Sequence, residues 1–176
     1  MNLPAKILEL GHKNVAIWLQ NEMGFVGEIE GDYEAYCLYP SDSKFWPETD
    51  KAEVDRCWPI LKTNNFKFIG APQDTSSKAP KQFDGYLNGI PTELKSAHFS
   101  ADTPDRLYAK VRKKMAEMSK QKAEQGFLFF TSESTVTVKD FGLILSRMPN
   151  TLVQYSYLRK MIIAFENEKS ILSYER

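Results

Sequence analysis

Histidine and cysteine are scarce in this chain, which carries two of each in 176 residues. Cys37 and Cys57 follow no metal-ligand spacing and read as small buried hydrophobes; nothing requires a disulfide between them, and that pairing is left open. Net charge is absent as well, with 23 basic residues against 23 acidic. A zero balance excludes a global electrostatic footprint for nucleic acid, so any such surface must be local. Long apolar runs are missing too. None approaches the ~18 residues of a membrane span, and the N-terminus lacks the charged-then-apolar pattern of a signal peptide, so the expectation is a soluble protein without a membrane span. Aromatic and charged residues, at 12% and 26%, are ordinary for a globular protein. The length suits one full core with a small appendage.

What the sequence does have is a hairpin signal at Phe83-Asp84-Gly85-Tyr86-Leu87-Asn88-Gly89-Ile90-Pro91-Thr92-Glu93-Leu94-Lys95. Asn-Gly between two short apolar-alternating runs predicts a two-residue type I′ turn. Counting back from that turn sets Leu87 opposite Ile90, Tyr86 opposite Pro91, Gly85 opposite Thr92, and Asp84 opposite Glu93. Directly opposed residues share a face, and Lys95, two residues beyond Glu93, shares it as well. Phe83, Leu87, Ile90 and Leu94 fall on the other face, which suits a core. Opposed carboxylates repel, and a divalent cation gives the pairing a purpose. Two carboxylates with water and substrate oxygens make a Mg²⁺ site, which polarises a phosphoryl group and generates hydroxide; a nearby ammonium stabilises the charge that develops. The other reading of the same residues is a solvated face with a cross-strand ion pair.

The motif Asp84…Glu93-Leu94-Lys95 resembles the D…(D/E)-x-K signature of the PD-(D/E)xK nuclease superfamily. Asp84-Gly85-Tyr86-Leu87-Asn88-Gly89 followed by Glu93-Leu94-Lys95-Ser96 is similar, more narrowly, to the C-terminal tRNase toxin domains of contact-dependent growth inhibition proteins. The residue before Asp84 is Phe83 where the superfamily name has proline. The resemblance covers residues 48–176 and implies a restriction-endonuclease-like α/β fold, a mixed sheet flanked by helices, occupying residues 47–176 behind a β-rich extension at 1–46. It implies Asp84 and Glu93 as metal ligands for Mg²⁺, or for another divalent cation such as Mn²⁺ or Zn²⁺, with Lys95 as the catalytic ammonium. It places Glu53, on the helix before the hairpin, as an additional catalytic acid, with Glu48 as a weaker substitute. The implied partners are tRNA and a cognate immunity protein, and the implied setting is the bacterial cytoplasm, reached as part of a larger exported toxin.

Around the motif the pattern alternates strands and helices. Lys6–Leu10, Val15–Leu19, Phe25–Ile29 and Tyr33–Tyr39 read as strands of a small meander separated by Gly11, Gly24 and Gly31-Asp32. Glu22, Glu28, Glu30 and Glu34 read as its solvated faces. Asp50-Lys51-Ala52-Glu53 predicts a capping box opening a helix that runs to Asn64-Asn65, kinked or divided at Pro59. Phe66–Gly70 is a strand, and Ala71–Lys81 a polar loop whose Lys78 and Lys81 lie near the hairpin. Thr103-Pro104 opens a helix with the apolar stripe Leu107, Val111, Met115 and Met118. Arg106, Lys110, Arg112, Lys113 and Lys114 on that helix are the candidate nucleic-acid-binding residues, since phosphate contacts require local cations; a solvated surface helix is the competing reading. Phe127–Phe130 reads as a strand buried on both faces. Phe141–Met148 suggests a short helix ending before Pro149, and Leu158–Phe165 with Ile171–Tyr174 a terminal hairpin. His98 and His12 read as structural.

Three alternatives accompany the ribonuclease reading: a DNA endonuclease of the same fold, a non-catalytic nucleic-acid-binding module, and a protein-interaction module using the N-terminal meander.

Overall fold

The computed structural model describes residues 27–31, 35–40, 42–73, 82–100 and 102–176. It divides into two compact units, Met1–Pro80 with Asp84–Pro91, and Lys81–Phe83 with Thr92–Arg176. Both mix strands with helices, so the fold is α/β. The expected strands at Lys6–Leu10 and Val15–Leu19, the turns at Gly11 and Gly24, and His12, Glu22, Glu34, Lys78 and Lys81 lie outside the described residues.

In the first unit β1 (Gly27–Gly31) and β2 (Tyr36–Pro40) pair antiparallel. β2 then pairs parallel with β3 (Lys67–Gly70), and β3 antiparallel with β4 (Gly85–Leu87). A parallel pair needs a crossover connection, which α1 (Glu48–Thr63) supplies. The meander therefore ends at β2. Tyr36, Leu38, Phe68, Ile69 and Leu87 are essentially inaccessible. Trp46 stacks on Tyr39 with centroids 5.9 Å apart and meets Phe68 at 6.4 Å. Cys37 and Cys57 are buried and are not joined in a disulfide, which closes that question.

The start of α1 corrects the sequence expectation. Its N-cap is Pro47, without a side-chain cap, and Asp50 lies inside the first turn rather than at the cap. The Pro47 carbonyl accepts from Asp50 N at 3.0 Å and Lys51 N at 3.1 Å. Proline's fixed φ, here −59°, already suits the approach to a helix, and Glu48 and Asp50 in the first turn complement the dipole. Glu53 is thus a half-buried residue of the helix body and not the partner in a capping box. Pro59 also does not divide α1. It removes one backbone hydrogen bond near the C-terminal end, while Val54, Cys57, Trp58, Ile60 and Leu61 are buried on either side of it and hold the last turns by their apolar contact.

The second unit holds β5 from Thr92 onward (the strand spans Ile90–Ala97), α2 (Pro104–Lys120), β6 (Gln125–Phe130), α3 (Val138–Leu145), α4 (Met148–Leu152), β7 (Lys160–Phe165) and β8 (Ser170–Glu175). β5, β6 and β7 are parallel, and β8 returns antiparallel to β7. Thr103 caps α2 as expected, its side chain accepting from Arg106 N, with Pro104 following. Leu107, Val111, Met115 and Met118 are buried in a core cluster with Leu128, Phe130, Phe141, Ile163 and Phe165. β6 is buried along its whole length, as the continuous apolar run predicts. The preceding helix ends at Leu145, before Pro149 as expected; Pro149 itself is the second residue of α4, where proline lacks only an N–H that the first turn leaves unused.

Both long helices end in the same way. Asn65 and Lys122 adopt positive φ, 56° and 61°. Phe66 N donates to Leu61 O at 2.9 Å, and Ala123 N to Met118 O at 3.3 Å. This is the Schellman closure, which favours glycine at the left-handed residue. Lys122→Gly is therefore expected to stabilise the protein by about 0.5–1 kcal/mol, read as a thermal midpoint raised by about 1–4 °C.

Candidate functional site

The turn that sets the hairpin register has the geometry expected of it. Asn88 and Gly89 both have positive φ, 50° and 82°, as a type I′ turn requires. Asn88 further ties the turn to β3, donating its N–H to Lys67 O at 2.8 Å and accepting Lys67 N on its side chain at 3.0 Å. Asp84, in the same unit, is 8% exposed and immediately precedes β4. Its carbonyl accepts from Ala71 N at 2.9 Å, extending the β3–β4 pairing by one residue. Gly85 is dictated by packing: a Cβ there would run into the Ile69 carbonyl oxygen and lie 2.8 Å from Phe68 Cζ.

In the second unit the parallel register builds the rest. Glu93 lies beside Gly126 and Met161, and Lys95 beside Leu128 and Ile163. In-register neighbours share a face, and here it is the face carrying Leu128 and Ile163 into the helix-covered core. Glu93 is accordingly 3% exposed. Its Oε1 pairs with Lys95 Nζ at 3.0 Å. Gly126 keeps the row passable, since a Cβ at that position would strike the sulfurs of Met118 and Met161. On the opposite face Thr92 and Gln125 bind each other at 3.0 Å, both buried, and Leu94 is fully buried. β5 thus buries residues of both faces, and the picture of one core face and one solvated face does not hold for it.

Lys95, unlike Glu93, reaches an opening. It lines a cleft of about 330 Å³ with Glu117, Lys120 and Gln121. A helix that crosses over between parallel strands runs back along them, so the last turn of α2 returns to the start of β5 and β6. Glu117 and Lys120 of α2 and its C-cap Gln121 therefore border Lys95, and none of the three is among the residues that the sequence assigns to the site. The signal was available in the order strand, helix, strand, but only once β5 and β6 are known to be parallel.

The five assigned cations of α2 do not share one face. Arg106, Lys110 and Lys113, at helical spacing, lie on the side that continues to Glu117 and Lys120. Arg106 and Lys110 are paired with Asp102 at 3.4 and 3.8 Å, and Lys114 with Glu117 at 3.5 Å. Asp102 is held below the usual carboxylate range, first by the Thr103 N–H and then by the charges of Arg106 and Lys110. Arg112 turns to another side, 5.5 Å over the Tyr108 ring, with Nη2 donating to Gln154 Oε1 at 3.2 Å. His98 Nδ1 lies 2.7 Å from Thr131 Oγ1.

Among the described residues no three His, Cys, Asp or Glu side chains are grouped as ligands for one ion. The donors that the motif provides, the buried carboxylates Asp84 and Glu93, fit Mg²⁺, which takes one or two carboxylates and completes its shell with water and phosphate. Among the described residues no helix is long and apolar enough to cross a membrane.

No protein-family model matches this chain, and no curated protein matches it in sequence. A solved structure of a CdiA-CT/CdiI toxin and immunity complex from Burkholderia pseudomallei is similar over 78% of this chain and 98% of that one, at 12% identity and a TM-score of 0.49.

Proposed function

We propose that the protein is a metal-dependent endonuclease of the PD-(D/E)xK type, with RNA, and tRNA in particular, as its substrate. The observation that carries the reading is the Glu93–Lys95 pair: a 3.0 Å ion pair whose carboxylate is buried while its ammonium opens on a cleft. A purely structural ion pair gains little from burying one partner among apolar side chains. A carboxylate fixed in place beside a solvent-reaching ammonium is what phosphodiester hydrolysis uses. The type I′ turn, which sets the count that matches Asp84 to Glu93, supports the same motif.

In this reading Asp84 and Glu93 hold the cation, with Glu53 as the further acid. When bound, the ion would supply Lewis acidity toward the phosphoryl oxygen and a water of lowered pKa. Lys95 donates to the attacking water or to the oxygens on which negative charge develops, and Glu93 holds it in place. Lys120 meets the phosphate next to the one being cut. The setting proposed with it, a bacterial toxin segment acting in the cytoplasm and neutralised by an immunity protein, is supported by the motif's resemblance to contact-dependent inhibition domains.

The test is incubation of the purified chain with total tRNA and, separately, plasmid DNA, in Mg²⁺ and in EDTA. Cleavage of tRNA in Mg²⁺ alone is the expected result. Cutting confined to the plasmid would move the assignment to a deoxyribonuclease of the same chemistry. Salt-sensitive binding that ignores Mg²⁺, with neither substrate cut, would reduce the protein to a binding module.

A further inference from the structure

A second groove, about 380 Å³, lies against the last turns of α2, lined by Ala116, Ser119, Lys120, Gln154, Tyr155, Ser156 and Tyr157. Lys120 lines both this groove and the cleft at Lys95. We infer that the groove is a subsite for one unpaired base of the nucleic-acid substrate, stacked on Tyr157, with Lys120 on the phosphate that joins it to the cleavage site. This rests on the nucleic-acid reading above and deepens it, because it requires a substrate that is single-stranded beside the scissile phosphate.

The groove has the mixed chemistry that an unpaired nucleotide needs. Tyr157 is 45% exposed, an unusual place for a large ring in a chain that buries most of its others. Tyr155 fixes the wall behind it, since its hydroxyl donates to Arg112 O at 3.1 Å and its ring packs on the core cluster. Gln154 is oriented by Arg112, which occupies its amide oxygen at 3.2 Å and leaves the amide nitrogen as a donor. Ser119 and Ser156 add hydroxyls. Lys120 is exposed and forms no ion pair among the described residues. Every base has a π-face, so a solvent-facing tyrosine beside a cation is a sequence-tolerant platform for single strands. A protein partner is the poorer fit, because lysine is depleted from the cores of protein interfaces. A duplex is also poorly served, since its bases are already stacked and a shallow groove offers them nothing.

The test uses the full chain in EDTA, so that binding is read without cleavage. The probes are a 12-nucleotide single-stranded RNA and a fully paired RNA duplex, each carrying one 2-aminopurine. Tyr157→Leu is expected to weaken binding of the single strand by about tenfold, to remove the fluorescence quenching that stacking produces, and to leave duplex binding unchanged. Tyr157→Phe keeps the ring and is expected to retain both. Tyr157 is exposed, so the thermal midpoint of both variants should match the parent and separates a local effect from misfolding. Unchanged single-strand affinity and quenching in Tyr157→Leu would overturn the inference, as would an equal loss for duplex and single strand. The nuclease reading is scored separately: a ring-dependent quench with no cleavage in Mg²⁺ sustains the subsite and sinks the nuclease. Mg²⁺-dependent cleavage with no ring dependence does the reverse.

Discussion

Glu93→Gln is expected to lower Mg²⁺-dependent cleavage by about 10³-fold or more and to leave a folded protein. The substitution keeps the shape of a side chain that is 3% exposed and removes the charge that would bind the cation and hold Lys95. Lys95→Met should cost about 10²–10³-fold, the usual scale for one donor aimed at developing charge. The double variant should be scarcely worse than Glu93→Gln alone, because groups that act as a unit lose their effect together. A merely structural pair predicts the opposite pattern. Stability would fall when either partner is removed, by an amount moderated by the 24% exposure of Lys95, while cleavage would survive. Measuring kcat/KM and the urea midpoint on the same three variants separates the two. Parent-level cleavage by Glu93→Gln would remove the proposed site.

What could be read in advance, and what could not, follows from how local each signal is. The Asn88-Gly89 turn, the Thr103-Pro104 start of α2 and its Leu107–Met118 stripe are each decided within a few residues, and each is found as expected. The buried run of β6 is as direct, since four consecutive apolar residues leave no solvated face. Misreadings occur where a second element decides. Alternation along β5 sets Glu93 and Lys95 on the face away from the expected core, but that face carries Leu128 and Ile163 into the helix-covered core, and Glu93 is 3% exposed. Asp50 and Glu53 carry the letters of a capping box, yet Pro47 starts the helix three residues earlier. Pro149 is legible as a boundary but not as a residue of the first turn of α4. The place of Lys120 beside Lys95 is not legible for the same reason. Which end of α2 reaches the site depends on the parallel pairing of β5 with β6, and no short stretch of sequence encodes that.

Gly85→Ala is expected to destabilise the protein by about 2–3 kcal/mol, the upper part of the range for an overfilled site, and to depress cleavage further in the molecules that stay folded. Conformational freedom is not the reason, since Gly85 is not among the positive-φ residues. The reason is distance. Gly70 and Gly85 are partners in the β3–β4 ladder, and an added methyl would meet the Ile69 carbonyl oxygen, with Gly70 Cα at 2.9 Å. These are backbone atoms, so relief requires the strands to separate, and Asp84 moves with them because its carbonyl is bound to Ala71 N. A displacement of about 1 Å at a catalytic carboxylate is enough for a loss on the order of 10²-fold. Gly142→Ala is the control. It sits inside α3 with nothing within 4 Å of the new methyl, so the same substitution should raise stability there, by up to about 1 kcal/mol, with cleavage unchanged. Opposite signs at the two glycines would identify close strand approach as the reason for an Asp-Gly pair at the head of the motif. A loss of stability without loss of specific activity at Gly85 would instead detach Asp84 from the chemistry.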